Sequence, residues 1–140
     1  MVCGSHIPTC TVLFRNCIDE FPKNFSKVKN GDSFLFAILG HYGKAYFMTE
    51  IKNTAYRVHS GGVWSLSSDL DKKTNQFESF KEIKNYSDKK FYASLNLKLA
   101  SSCMSLFKMN RTPFKKIYFL IHTSKFLFFY FLNKYFKIYL

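Results

Sequence analysis

The stretch that most constrains how this chain can fold is Phe91 to Leu99. Phe91, Ala93, Leu95, Leu97 and Leu99 alternate strictly with Tyr92, Ser94, Asn96 and Lys98. Period two over that length places every apolar side chain on one face of an extended strand and every polar one on the other. A strand of this kind needs neighbours, because its backbone donors and acceptors must be paired before one face can be buried. The alternation therefore predicts a sheet, and the rest of the sheet has to come from elsewhere in the chain.

Residues 28–66 offer it. Lys29-Asn30-Gly31-Asp32 reads as a turn, Ser33 to Leu39 as an apolar run of strand length, Gly40 to Gly43 as a short loop, and Lys44 to Ile51 as the return strand. Glycine at both ends of a short connection supplies the positive φ that tight hairpins use. Ala55 to His59 alternates and stops at Ser60-Gly61-Gly62, and Val63 to Leu66 has the make-up of a fourth strand. Phe77, Phe80 and Ile83 recur at three-residue intervals, which fits a short helix or an irregular strand equally well. The fold class expected is mainly β, or α+β: a small meander or SH3-like barrel over residues 1–110, followed by a basic aromatic C-terminal helix over residues 111–140. The abundance of Phe and Tyr points the same way, since aromatic side chains favour pleated, half-buried surfaces.

The order of Gly31-Asp32, a first core strand, a short loop and the Lys44 to Ile51 strand resembles the strand grammar of SH3-like barrels of the Tudor and bromo-adjacent-homology type. Such modules read methylated Lys or Arg through an aromatic cage by cation–π attraction. The resemblance implies Tyr42, Tyr46, Tyr56 and Trp64 as the ligand-binding aromatics. Core packing is the competing role for the same rings, because large aromatics bury for their area.

Motifs for catalysis are missing. His6, His41, His59 and His122 are scattered, no nucleophile elbow surrounds a Ser or Cys, and phosphate-cradling glycine loops are absent. The chain reads as a non-enzymatic binding or interaction module that needs no cofactor. Cys3, His6, Cys10 and Cys17 have the residue types of a tetrahedral zinc site, but their spacing lacks the two tight pairs such sites use, so zinc is not expected. Three of the four cysteines crowd the first 17 residues, which is no disulfide framework. With no basic-then-apolar leader at the start, the expected setting is intracellular and not secreted.

Charge singles out the C-terminal third. Residues 1–88 carry 11 basic and 9 acidic side chains, whereas residues 89–140 carry 10 basic and no acidic ones. Phe114 to Leu140 alone holds seven Phe, four Tyr and five Lys. As a membrane span it is short: Ile117 to Leu132 is 16 residues, broken by His122 and Lys125, against the roughly 20 that a span requires. As an interfacial helix it is better formed, because Ile117, Leu120, Ile121, Ser124, Phe128, Phe131, Tyr135 and Ile138 share one face at helical spacing. Lys115, Lys116, Lys125, Lys134 and Lys137, with Phe128 and Phe131, are the expected membrane or anion contacts. Nucleic acid is the alternative partner, through phosphate neutralisation and base stacking, although Arg111 is the one arginine in residues 89–140. The tail's bias towards residues with A- and T-rich codons also matches translated noncoding sequence, which predicts little order after Asn110.

Overall fold

The computed structural model describes residues 7–52, 55, 57 and 59–139, and of Val63 and Trp64 the backbone alone. Among these residues there is no strand. Helix α1 (Gly31–Tyr42) is followed by the single turn α2 (Val63–Leu66), then by α3 (Asp69–Tyr86), α4 (Tyr92–Met109) and α5 (Pro113–Phe131). A π-helical turn at Leu132–Phe136 extends α5. Helix α4 is central, packing against both α3 and α5, while α1 lies on α3.

The mainly β or α+β expectation is overturned, and with it the meander and the likeness to an SH3-like barrel of Tudor or bromo-adjacent-homology type. Each error has a local cause. Gly31-Asp32 is the first turn of α1, not a β-turn, and the Asp32 carboxylate accepts from the Ser33 amide (2.7 Å). The run Ser33 to Leu39 buries Phe34 and Ile38, four residues apart, which is the spacing of one helix face and not of one strand face. Lys44 to Ile51, the supposed return strand, is exposed and irregular.

Phe91 to Leu99 fails for a similar reason. Leu95 and Leu99 are fully buried, but Leu97 between them is 45% exposed. The pattern that governs the segment is Leu95, Leu99, Cys103 and Leu106, four then four then three residues apart, and it becomes visible only when the window extends past Lys98. Helix α3 settles the ambiguity at Phe77, Phe80 and Ile83 in favour of helix. Ser68 caps it: the hydroxyl accepts from the Asp71 amide (3.1 Å) and donates to the Asp71 carboxylate (2.6 Å). Asp69 and Asp71 also put negative charge in the first turn, where the helix dipole favours it.

Two clusters make the core. One joins Phe34 and Ile38 of α1, Ile83 of α3 and Leu95 of α4, with Phe25, Tyr86 and Phe91 around them. The other joins Phe77 of α3 to Leu99, Cys103 and Leu106 of α4, closed by Phe119 and Phe126 from α5. Phe80 packs against both.

The chain after Asn110 is thus ordered helix folded back on α4 across a three-residue connection, not a structureless tail. A polar clasp fixes its far end. Asn96 of α4 and Asn133 of the π turn are buried, and the Asn96 amide nitrogen donates to Asn133 Oδ1 at 2.7 Å. The Asn133 nitrogen in turn donates to the Ile138 carbonyl. Lys137, in the left-handed region at φ 53°, reverses the chain so that this carbonyl can reach back. Asn133→Ala leaves the buried Asn96 amide unpaired and is expected to cost about 1–3 kcal/mol in urea denaturation. Replacing Asn96 and Asn133 together with Leu removes both polar groups and should recover most of that loss.

Candidate functional site

Helix α5 faces the wrong way for an ordinary bundle helix. Its inward stripe consists of Phe119, Thr123, Phe126 and Asn133, with Thr123 and Asn133 buried. Thr123 spends its hydroxyl on the Phe119 carbonyl (2.8 Å), which makes the side chain tolerable in that position. The outward stripe is the more apolar one: Ile117 is 57% exposed, Ile121 60%, Phe128 59%, Phe131 51% and Tyr135 63%. These are residues that helical spacing in the sequence gathers on one face. Amphipathic helices normally turn that face to the core, so an apolar stripe this long on the outside marks a surface made for contact.

Lysines border the stripe. Lys115, Lys125, Lys134 and Lys137 are exposed and Lys116 is half-buried. Several rest their ammonium groups on rings: Lys116 over Phe107 (5.7 Å), Lys125 over Phe129 (5.9 Å), and Lys134 over Tyr130 (5.3 Å) and Tyr135 (5.2 Å). Lys134 also donates to the Tyr130 hydroxyl at 2.8 Å, a contact that raises its pKa. The first turn of α5 holds Lys115 and Lys116 and no acidic residue, the reverse of what the helix dipole prefers. An anion arriving there meets no carboxylate from residue 89 onward.

The other expected sites are not assembled. Tyr42 ends α1 and Tyr46 stands in the exposed segment after it, and no ring contact joins the two. Tyr56 and the Trp64 side chain lie outside the described residues, so the aromatic cage has no geometry here. Of the zinc set, Cys3 and His6 lie outside the described residues, Cys10 is exposed and Cys17 half-buried. Among the described residues no cluster of His, Cys, Asp or Glu could hold a metal.

His41 lies in the last turn of α1 and not in a hairpin loop. Its ring stands edge-on to Tyr86 (5.0 Å), and Nδ1 is 3.8 Å from the Asp88 carboxylate, which Lys90 also approaches (3.1 Å). Among the described residues no hydrogen bond joins that imidazole to a hydroxyl or thiol. A shallow open groove of about 370 Å³ between Glu20, Phe21, Pro22, Lys23 and Tyr86 has no serine or cysteine in its lining.

Cys103 is sealed in the second core cluster, and burial pushes its thiol up to about 12 from an ordinary 9.0. A buried, protonated thiol is inert, so thiol reagents should modify exposed Cys10 and spare Cys103 until the chain unfolds. The same shift has a stability consequence. Above pH 9 the unfolded chain releases this proton while the folded one keeps it until about pH 12. Stability should fall through that window by up to about 1.4 kcal/mol per pH unit, a slope that Cys103→Ala removes from thermal melts.

Sequence reasoning missed the Asn96–Asn133 clasp and the placement of Lys84. Lys84 was findable, because it continues the helical series Phe77, Phe80, Lys84 that faces inward on α3. The clasp left no periodic trace. Taken together, these features define a small basic helical bundle with one helix turned apolar side out. No protein-family description, curated protein or solved structure matches the chain.

Proposed function

We propose that the protein is a peripheral membrane-binding module in which α5 lies along an anionic bilayer surface. The observation that carries this reading is the outward apolar stripe of Ile117, Ile121, Phe128, Phe131 and Tyr135, set in the acid-free and strongly basic third of the chain. Lying along the surface fits the helix better than spanning: among the described residues no helix is long and apolar enough to cross a membrane. A second copy of this chain is a poor occupant, since docking two such faces would oppose two sets of five lysines from a segment that contains no acidic residue.

The two driving terms are of similar size. Each fully buried Phe contributes about 1.5–3 kcal/mol. Each Lys near an anionic surface contributes about 1 kcal/mol. Salt should therefore weaken binding without abolishing it, and detergent should release the protein. Co-sedimentation of the full chain with phosphatidylcholine vesicles, with and without phosphatidylserine, tests this. Tight binding to the anionic vesicles that survives high salt is expected. Failure to bind them, together with binding to single-stranded nucleic acid that falls steeply with salt, would overturn the membrane reading.

A further inference from the structure

Lys84 is half-buried where α3, α4 and α5 meet. Its ammonium lies 5.1 Å from the centre of the Tyr92 ring on α4 and 5.6 Å from that of Phe129 on α5. Lys125 approaches the same Phe129 ring at 5.9 Å. Two cations are thus gathered on one aromatic ring. Three lysines elsewhere have acidic neighbours: Lys72 is 3.5 Å from Asp69, Lys81 2.9 Å from Glu78 and Lys90 3.1 Å from Asp88. Among the described residues Lys84 and Lys125 make no ion pair with a carboxylate.

The arrangement is costly without a counter-ion. Burial first, and then the charge of Lys125, hold the Lys84 ammonium below its ordinary range. The aromatic faces offset part of this, since a cation over a ring is attracted to it, but they do not neutralise two charges. What the pair lacks is an anion, and the position says where it would come from. Lys125 is one helical turn from Ile121 and three residues from Phe128, both on the outward stripe. The pair therefore stands at the edge of the surface assigned to the bilayer.

We propose that Lys84 and Lys125 jointly bind a phosphomonoester, supplied by a lipid headgroup at the edge of the α5 membrane face. Charge selects this class. A phosphomonoester carries about −1.5 to −2 at neutral pH and suits two ammonium groups. A phosphodiester or carboxylate brings a single negative charge and would leave one lysine uncompensated. Lysine binds phosphate as a point charge, so two of them need no bidentate geometry.

The proposal rests on the membrane reading, and its test separates the two. The full chain is titrated with phosphatidylcholine vesicles carrying either phosphatidic acid or phosphatidylserine at matched surface charge. The expected result is about tenfold tighter binding to phosphatidic acid. Lys84→Gln and Lys125→Gln should abolish that preference while retaining binding to phosphatidylserine. Lys27→Gln, which removes the same charge from an exposed position outside α3, α4 and α5, should keep it. Both lysine variants should melt no lower than the parent chain, so a loss of preference would not reflect unfolding. Glycerol 3-phosphate, a soluble phosphomonoester, should shift the side-chain NMR signals of Lys84 and Lys125. Equal binding to the two vesicles with no such shift, or a preference that survives both substitutions, overturns the site and leaves the membrane reading standing. Binding to neither vesicle overturns the membrane reading. A shift with glycerol 3-phosphate in that case keeps the site and makes its ligand soluble.

Discussion

Leu95→Ala and Leu99→Ala are each expected to lower the free energy of unfolding by about 2–5 kcal/mol. Leu97→Lys is expected to change it by no more than about 0.5 kcal/mol. All three positions lie on the same face of a strand, so a sheet would make them equally sensitive. In α4 they separate: Leu95 belongs to the cluster with Phe34, Ile38 and Ile83, Leu99 to the cluster with Phe77, Cys103 and Leu106, and Leu97 points out. Truncating either buried leucine strips apolar surface from the core and leaves a cavity that neighbouring helices can only partly fill. For a domain whose total stability is of the order of 5–15 kcal/mol, such a loss is a large fraction of the whole. Urea denaturation followed by circular dichroism measures all three. Equal and large losses at Leu95, Leu97 and Leu99 would refute the helical assignment.

The largest functional effect is expected from Phe128→Gln combined with Phe131→Gln, which should weaken binding to anionic vesicles at least about 10-fold, taking about half of the 1.5–3 kcal/mol of full burial for each half-exposed ring withdrawn from the bilayer. Glutamine is suited to the test. It removes the apolar surface, keeps a good helix former and alters no charge, so the electrostatic attraction of the lysines is untouched. Stability should stay close to that of the parent chain, because both rings are more than half exposed and neither belongs to a core cluster. Their ring contacts are with neighbours on the same helix and its π turn: Phe128 meets Phe129, and Phe131 meets Tyr130 and stacks on Tyr135 at 5.9 Å. Unchanged vesicle binding in the double variant would show that the outward stripe is not the surface that meets the membrane.

Legibility differed along the chain for physical reasons. The helical spacing of Ile117, Ile121, Phe128, Phe131 and Tyr135 is plain in the sequence, and α5 carries it. The side it presents is not, because that depends on what α4 offers, and there Asn96 and Cys103 accept Asn133, Phe119 and Phe126. Phe91 to Leu99 misleads because a short window satisfies two periods at once. Leu95 and Leu99 fit both period two and period four, and the tie is broken by Cys103 and Leu106 further on. Ser33 to Leu39 misleads because flanking glycines mimic a hairpin. Gly31 begins the helix and Gly43 ends it, but Gly40, which reads as the start of a hairpin loop, lies inside its last turn. Charge was the most dependable signal, since a count of carboxylates does not depend on any folding assignment. It located the third of the chain where α5 turns its apolar side outward independently of the helical spacing.

Phe80 gives the two core clusters a relation that neither has by itself. It is the side chain they share, one ring between a layer built on α1 and a layer closed by α5. Cooperativity between the layers runs through that ring and the continuous backbones of α3 and α4. A pull on α5 loads Phe119 and Phe126 first, so the α5 layer can open as a sub-global unit while Phe34, Ile38, Ile83 and Leu95 stay packed. The molecule is therefore built to yield at the α5 end and hold at the α1 end.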